Sequence, residues 1–248
     1  MKRSRNCIVF DLDDTLIDTS DVYWRARTRY IHAIVDAGVD AEEALEQFER
    51  VDAELINKIG FLPNRYGLTM MRCYQQLLAA GKVTASSVLE GKLEKCGSMV
   101  PNEIPKLIDG AIELLHWAAD RYELALLTRG ETSFQMTKIQ QLNLQPYFKT
   151  IEVVPQKGPS EFLMLLAQRN LTPSDCWVIG DSIKSDINPA VTIGALPILF
   201  VYTHPTYHWR QEYGAAAEGP FFKIFKLRDA IPILTNPEST QMVTSLDR

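Results

Sequence analysis

Cysteine is scarce in this chain, and its placement argues against two common kinds of site. The four cysteines show neither the paired spacing of a disulfide framework nor the close spacing of a zinc site. Cys7 and Cys176 lie within apolar runs, where we expect small buried side chains. Such usage favours a reducing compartment, so we expect a cytoplasmic protein.

An excess of positive charge and long apolar runs are also missing. The formal net charge is −5, and aromatic residues do not alternate with basic runs, so no nucleic-acid surface is predicted. No stretch approaches the ~20 apolar residues of a membrane helix. The basic residues 1–5 precede an apolar run that is too short for a signal peptide. We therefore expect no nucleic-acid partner and no membrane partner. The oligomeric state is not indicated.

Short apolar segments provide the first positive signal. Most are continuous runs, which is typical of strands buried on both faces of a parallel sheet. The predicted strands are residues 7–10, 124–128, 150–154, 176–180 and 197–201. Helical patterns separate the later strands, which predicts an α/β fold with a doubly wound parallel sheet and a Rossmann-like core. In the helix predicted over residues 132–142, Phe134, Ile139 and Leu142 are assigned to one side and Lys138 to the other.

A long gap separates the first strand from the second. Residues 18–120 contain no convincing strand and have the pattern of several helices. A connection between a strand and the next helix is usually a few residues, so we predict a helical insert. The predicted division is an α/β core at residues 1–17 and 106–235, a helical cap at 18–105 and a flexible tail at 236–248.

Acidic residues follow two of the predicted strands. Asp11 and Asp13 come after the first strand, and Asp181 and Asp186 follow the fourth. An isolated pair would be interpreted as a solvated turn, but the carboxyl ends of parallel strands meet at one edge of a sheet. Clustered carboxylates repel unless a cation offsets them. Oxygen ligands suit Mg²⁺, so a magnesium site is predicted at this edge.

Two other strand ends add a hydroxyl and a cation. Thr128 and Arg129 lie at the end of the second strand, and Lys157 follows the third. Lys149 is a weaker competitor for the role of the lysine. Together with the carboxylates, these groups provide what phosphoryl transfer needs: a nucleophile, a metal site and positive groups around the phosphoryl oxygens.

In this order the four motifs resemble those of the haloacid dehalogenase-like hydrolase superfamily, in its phosphatase branch. The motifs are Asp11-Leu12-Asp13-Asp14-Thr15, then Thr128, Lys157, and Gly180-Asp181 with Asp186. The resemblance extends over residues 7 to about 235. The insert lies where that superfamily has its α-helical cap.

This resemblance implies a role for each residue. Asp11 is implied as the nucleophile that forms an aspartyl-phosphate, and Asp13 as the acid and base. Thr128 and Lys157 are implied to hold the phosphoryl oxygens. Arg129 is a candidate substrate contact, with a solvent-exposed role left open.

The resemblance also implies the ligands of the magnesium ion. These are Asp11, the backbone carbonyl of Asp13 and Asp181, with Asp186 as an outer or alternative ligand. The residues alone leave Asp186 open as an ordinary helix cap. Arg65, Tyr66 and Arg72 in the insert are candidate substrate contacts, but exposure to solvent is the favoured interpretation for each.

The predicted function is therefore a Mg²⁺-dependent phosphatase that hydrolyses a small phosphorylated metabolite through an aspartyl-phosphate. A phosphomutase, a pyrophosphatase or a nucleotidase would use the same residues. A dehalogenase is disfavoured because it needs no leaving-group acid at the position of Asp13. A non-catalytic binding protein on this fold is the alternative of a different class, and the intact motif set argues against it.

Overall fold

The computed structural model describes residues 7–202 and 215–245 and divides the chain into two compact units. The α/β unit comprises Met1–Thr19 and Pro105–Arg248, and the helical unit comprises Ser20–Ile104. The chain passes from one unit to the other after Thr19 and after Ile104, close to the boundaries predicted for the insert. Residues 1–5 and the last three residues of the predicted tail lie outside the described residues.

The strands of the α/β unit form one large sheet and one short ribbon. In the described part of the chain they are β1 (Cys7–Phe10), β2 (Ile17–Asp18), β3 (Lys106–Leu107), β4 (Glu123–Arg129), β5 (Thr150–Val154), β6 (Cys176–Gly180), β7 (Leu196–Phe200) and β8 (Phe222–Ile224). The large sheet has the order β5-β4-β1-β6-β7-β8, and every pairing in it is parallel. Strands β2 and β3 pair antiparallel. The predicted α/β fold class is confirmed.

Helices connect the strands and fill the insert. Those of the insert are α1 (Thr19–Asp36), α2 (Ala41–Ile59), α3 (Arg65–Ala79), α4 (Ser87–Gly97) and α5 (Met99–Asn102). Those that follow are α6 (Ala111–Ala119), α7 (Thr132–Gln141), α8 (Pro159–Gln168), α9 (Asn188–Ile193) and α10 (Ala230–Thr235), with a π-helical turn at Ile183–Ile187. In the described ranges, no helix combines the length and the apolar character that crossing a membrane requires.

Strand β1 shows why the sheet strands are apolar throughout. Ile8 and Phe10 belong to a core cluster on one face of the sheet, which includes Leu114 of α6. Cys7 and Val9 belong to the cluster on the opposite face, with Phe162 of α8. Successive side chains of a strand point to opposite faces, so a strand covered on both sides needs apolar residues at every position. The motif after β1 is thereby anchored on a buried strand.

The helical unit has its own buried core, which includes charged residues. Tyr66 packs edge-on against Phe48, with ring centroids 4.9 Å apart. Arg65 is buried and forms an ion pair with Asp52, which is also buried. The prediction that Arg65 and Tyr66 are exposed to solvent is therefore wrong, because both are buried in the core of this unit.

Short strands account for the remaining differences from prediction. The expectation of no strand within residues 18–120 is wrong, since Lys106–Leu107 pairs with Ile17–Asp18. The edge strand Phe222–Ile224 was not predicted, because it has only three residues. Within the predicted tail, Val243 forms an isolated antiparallel bridge to Phe221.

Candidate active site

The first group of site residues lies around Asp11. The backbone N–H of Asp11 donates to the carbonyl of Ile179 at 2.9 Å, which holds the loop after β1 beside the end of β6. Lys157 Nζ donates to Asp11 Oδ1 at 2.6 Å, and its distance to Asp186 Oδ1 is 2.5 Å. We call Asp11, Lys157, Asp181 and Asp186 the Asp11 cluster. It joins the ends of β1 and β6 with the loop that follows β5.

Asp186 reaches this cluster from the π-helical turn after β6. Its Oδ2 accepts a hydrogen bond from the backbone N–H of Ser182 at 3.0 Å, so the side chain folds back toward Gly180. A Cβ atom on Gly180 would lie 2.2 Å from Asp186 Cγ, a separation that atoms cannot adopt. Glycine before Asp181 is therefore a steric requirement of the Asp186 side chain. Asp186 lies within the turn and accepts from its start, so the ordinary helix-cap interpretation is too simple.

Three carboxylates of the Asp11 cluster meet at one point. Ligand oxygens of Asp11, Asp181 and Asp186 all lie within 4.8 Å of one another. Burial raises the pKa of Asp11 to about 7, Lys157 opposes the rise, and the negative charge of Asp186 adds to it. Burial alone would lower the pKa of Lys157, but the two carboxylates beside it raise the pKa. One lysine thus faces a cluster of three acids, and an added divalent cation with oxygen ligands fits the charge and donor set.

The second group surrounds Asp13. Its Oδ1 accepts from Lys138 Nζ at 2.5 Å and from Thr19 Oγ1 at 2.5 Å. Its Oδ2 accepts from Gln135 Nε2 at 2.7 Å. We call Asp13, Thr19, Gln135 and Lys138 the Asp13 cluster. Burial alone would raise the pKa of Asp13, but Lys138 and the three hydrogen bonds outweigh it and lower the pKa.

Helix α7 supplies two residues that the sequence analysis missed. The prediction that Lys138 lies on the side of the helix opposite the apolar residues is wrong, because Lys138 is buried and forms an ion pair with Asp13. Gln135 is buried as well. Both share a helical face with Ile139, since residues three and four positions apart lie on one side of a helix. Polar residues in register with a buried isoleucine were the available signal.

Thr128 and the amide of Gln135 connect β4 to the Asp13 cluster. Thr128 is buried, and its Oγ1 accepts from Gln135 Nε2 at 2.6 Å. The adjacent Arg129 is partly exposed, and its carbonyl accepts from the same nitrogen at 3.1 Å. Lys149, the weaker competitor of Lys157, is exposed at the start of β5. The side chains predicted to form the core of the site thus lie at one edge of the sheet, at the carboxyl ends of its strands, whereas Lys149 lies at the opposite edge.

A model of the haloacid dehalogenase-like hydrolase family matches residues 6–194. The glyceraldehyde 3-phosphate phosphatase of Pyrococcus furiosus is 29% identical over 79% of this chain and 80% of its own length. The human N-acylneuraminate-9-phosphatase is 25% identical over 75% of this chain and 78% of its own length.

A solved structure shows the same fold. It is a haloacid dehalogenase-like family hydrolase from Xanthomonas campestris, with a TM-score of 0.76 and 23% identity. The match covers 96% of this chain and 99% of that chain. The fold is therefore a known one. Since a fold alone does not determine an activity, the function must be inferred from the residues at the sheet edge.

Proposed function

Because the chain belongs to the haloacid dehalogenase-like hydrolase family, we propose that it is a Mg²⁺-dependent phosphatase that hydrolyses a small phosphorylated metabolite. The predicted enzyme class, a phosphate monoester hydrolase, agrees with the phosphatase names of the curated relatives. Those names also support a small phosphorylated substrate. The role of the helical unit as a cap stays a prediction. One observation carries the proposal: Asp11 shares a site with two other carboxylates, while Asp13 has a separate lysine.

Asp11 is the proposed nucleophile. It lies at the end of a buried strand, and Lys157 holds its Oδ1 in one orientation. A carboxylate oxygen of Asp11 attacks phosphorus, the bond from phosphorus to the leaving oxygen breaks, and an aspartyl-phosphate forms. Water then attacks phosphorus, and the bond to Asp11 breaks to release inorganic phosphate. Lys157 and Thr128 stabilise the phosphoryl oxygens during both steps.

Asp13 is the proposed acid and base. Its Oδ1 already accepts two hydrogen bonds, whereas its Oδ2 accepts one from Gln135. A carboxylate oxygen has two acceptor positions, so Oδ2 keeps one for a proton. Lys138 and the three hydrogen bonds favour the ionised form of Asp13, so this oxygen must take up a proton from solvent before the first step, in which it gives that proton to the leaving group. In the second step the ionised carboxylate takes a proton from the attacking water. A separate acid supports phosphate chemistry over dehalogenation, which needs none.

The Asp11 cluster is the proposed magnesium site. Asp11 and Asp181 would hold the ion with the backbone carbonyl of Asp13, and Asp186 would orient Lys157 and complete the cluster. When bound, Mg²⁺ would offset the charge of the carboxylates and of the phosphoryl oxygens. The fit rests on the crowding of three acids around one lysine, which favours a further cation.

A metabolite screen tests this function. Purified protein is incubated with a panel of phosphorylated metabolites, in Mg²⁺ and in excess chelator, and released phosphate is measured. We expect release from at least one substrate in Mg²⁺ and none in chelator. Asp11→Asn should abolish release, while the matched exchange at exposed Asp120 should leave it unchanged.

The same screen addresses the alternatives. Transfer of phosphate to a second sugar position, without release, would indicate a phosphomutase. Cleavage confined to diphosphates or nucleotides would indicate a pyrophosphatase or a nucleotidase. Release that is equal for wild type and Asp11→Asn would contradict the proposed nucleophile.

A further inference from the structure

The Gln135 side chain is buried in α7 and touches three acceptors with one nitrogen. Nε2 lies 2.7 Å from Asp13 Oδ2, 2.6 Å from Thr128 Oγ1 and 3.1 Å from the carbonyl oxygen of Arg129. The carbonyl of Arg129 never has a proton to offer, and the Asp13 carboxylate has none while it is ionised. The reverse orientation of the amide would place its oxygen against both of them. The NH₂ group must therefore face the site.

This orientation determines the polarity of the Thr128 hydroxyl. An amide NH₂ has two protons and does not accept, and Thr128 Oγ1 at 2.6 Å and Asp13 Oδ2 at 2.7 Å lie closer to it than the Arg129 carbonyl at 3.1 Å, which shares one of these protons. Thr128 Oγ1 therefore accepts from Gln135, and its own proton must point elsewhere. In residues 7–202 and 215–245, no hydrogen bond takes up that proton. We propose that Gln135 is a positioning residue that turns the Thr128 hydroxyl proton toward the phosphoryl group of the substrate.

The same nitrogen also fixes the spacing between the acid and the hydroxyl. Asp13 Oδ2 and Thr128 Oγ1 come from different strand ends, β1 and β4, and both lie within 2.7 Å of Gln135 Nε2. Gln135 therefore links the oxygen that transfers the proton to the hydroxyl that binds the phosphoryl group. This inference rests on the proposed function, since it gives Thr128 a phosphoryl oxygen to bind.

Gly130 leaves the space that the Gln135 side chain needs. Its φ is +154°, and a Cβ atom there would lie 3.0 Å from Gln135 Cγ and 3.1 Å from Gln135 Cδ. Any larger residue at position 130 would press on the side chain that holds the amide in place. The sequence Thr128-Arg129-Gly130 thus provides the hydroxyl, one carbonyl acceptor and the clearance for their shared donor.

A double-mutant cycle tests the proposal. Gln135→Met keeps the length of the side chain and removes the amide, and Thr128→Val keeps the shape of the threonine and removes the hydroxyl. Affinity for inorganic phosphate is measured in Mg²⁺ as competitive inhibition of aryl phosphate hydrolysis, and by calorimetry where a variant is inactive. Gln140→Met, on the exposed side of α7, is the matched control.

We expect Gln135→Met to weaken phosphate binding about tenfold, the value of one hydrogen bond to a charged group. In the Thr128→Val background the same change should have no further effect, because the hydroxyl that it orients is gone. Gly130→Ala should show the same dependence on Thr128, which provides a second route if Gln135→Met folds poorly. Gln140→Met should bind phosphate like wild type.

Equal losses in both backgrounds would overturn the proposal, because they would mean a general distortion of the site. Unchanged phosphate affinity in Gln135→Met would overturn it as well. Both results are distinguishable from failure of the proposed function, in which the wild-type protein itself neither releases nor binds phosphate and both proposals fall.

Discussion

Asp11 and Asp13 lie two positions apart on one loop, yet they belong to different electrostatic environments. Asp11 faces Asp186 and shares Lys157 with it, and its pKa is raised. Asp13 has Lys138 and two further donors, and its pKa is lowered. The Asp11 cluster has an excess of negative charge, whereas the Asp13 cluster balances its own charge. The difference supports the proposal that one loop provides both a metal-bound nucleophile and a separate acid.

The largest expected effects separate the two carboxylates by chemistry. Asp11→Asn should abolish hydrolysis of every substrate, because no other group can take its place as nucleophile. Asp13→Asn should slow an alkyl phosphate about 10²- to 10⁴-fold, the usual contribution of an acid and base. It should slow the first step far less for an aryl phosphate, whose leaving group needs no proton.

Single-turnover kinetics with both substrates measure this difference. Asp120→Asn serves as the control, since Asp120 is exposed and lies at the end of α6. Equal sensitivity of the two substrates to Asp13→Asn would remove the assignment of Asp13 as the acid.

The two lysines should differ in their effect on stability. Lys157→Met leaves Asp11 and Asp186 buried side by side without their cation, so the metal-free protein should lose about 3–5 kcal/mol of unfolding free energy. Added Mg²⁺ should recover more of this loss than it adds to wild type, since the ion would replace the missing charge.

Lys138→Met gives the matched comparison. The Asp13 side chain is 29% exposed and keeps the donors Thr19 and Gln135, so we expect a loss of about 1–2 kcal/mol. Mg²⁺ should stabilise this variant as much as wild type. Denaturant unfolding in chelator and in Mg²⁺ measures both variants, and an equal gain from Mg²⁺ in the two would contradict separate clusters.

Each cluster also depends on one glycine. The two glycine variants should differ from each other less than the two carboxylate variants or the two lysine variants do. Gly180→Ala would place Cβ 2.2 Å from Asp186 Cγ, whereas Gly130→Ala would place it 3.0 Å from the more flexible Gln135. We expect losses of about 3 kcal/mol and about 1–2 kcal/mol of unfolding free energy, as for overpacked sites. Only Gly180→Ala should also weaken stabilisation by Mg²⁺.

Gly91→Ala is the control for these two variants. Gly91 lies within α4 and has nothing within 4 Å of its Cβ position, so alanine should be neutral or stabilising there. If Gly130→Ala proved as costly as Gly180→Ala and lost its response to Mg²⁺, the two glycines would not serve separate clusters.

Much of the fold was predictable because a strand that is buried on both faces requires a continuous apolar run in the sequence. β1, β5 and β6 have the predicted bounds, and each coincides with an apolar or β-branched run. Strands of two or three residues have no such run, which is why β2, β3 and β8 were missed.

The site was predictable where its residues follow strands, because chain order and strand ends place them at one edge. Lys138 and Gln135 were not predicted because they reach that edge from a helix, and the buried face of a helix normally has apolar residues. Their burial is compensated by Asp13, 125 and 122 positions away in the chain. Such long-range pairing has no local pattern, so only the structure reveals it.

Trapping the phosphorylated protein is the most direct test of the central claim, that Asp11 accepts the phosphoryl group. In Asp13→Asn, an aryl phosphate can still react with Asp11, but no base remains to activate water, so the intermediate should accumulate. Mass spectrometry after rapid acid quenching should find one phosphoryl group on the peptide that contains Asp11. The absence of that group while aryl phosphate is still consumed, or its presence on another peptide, would contradict the account.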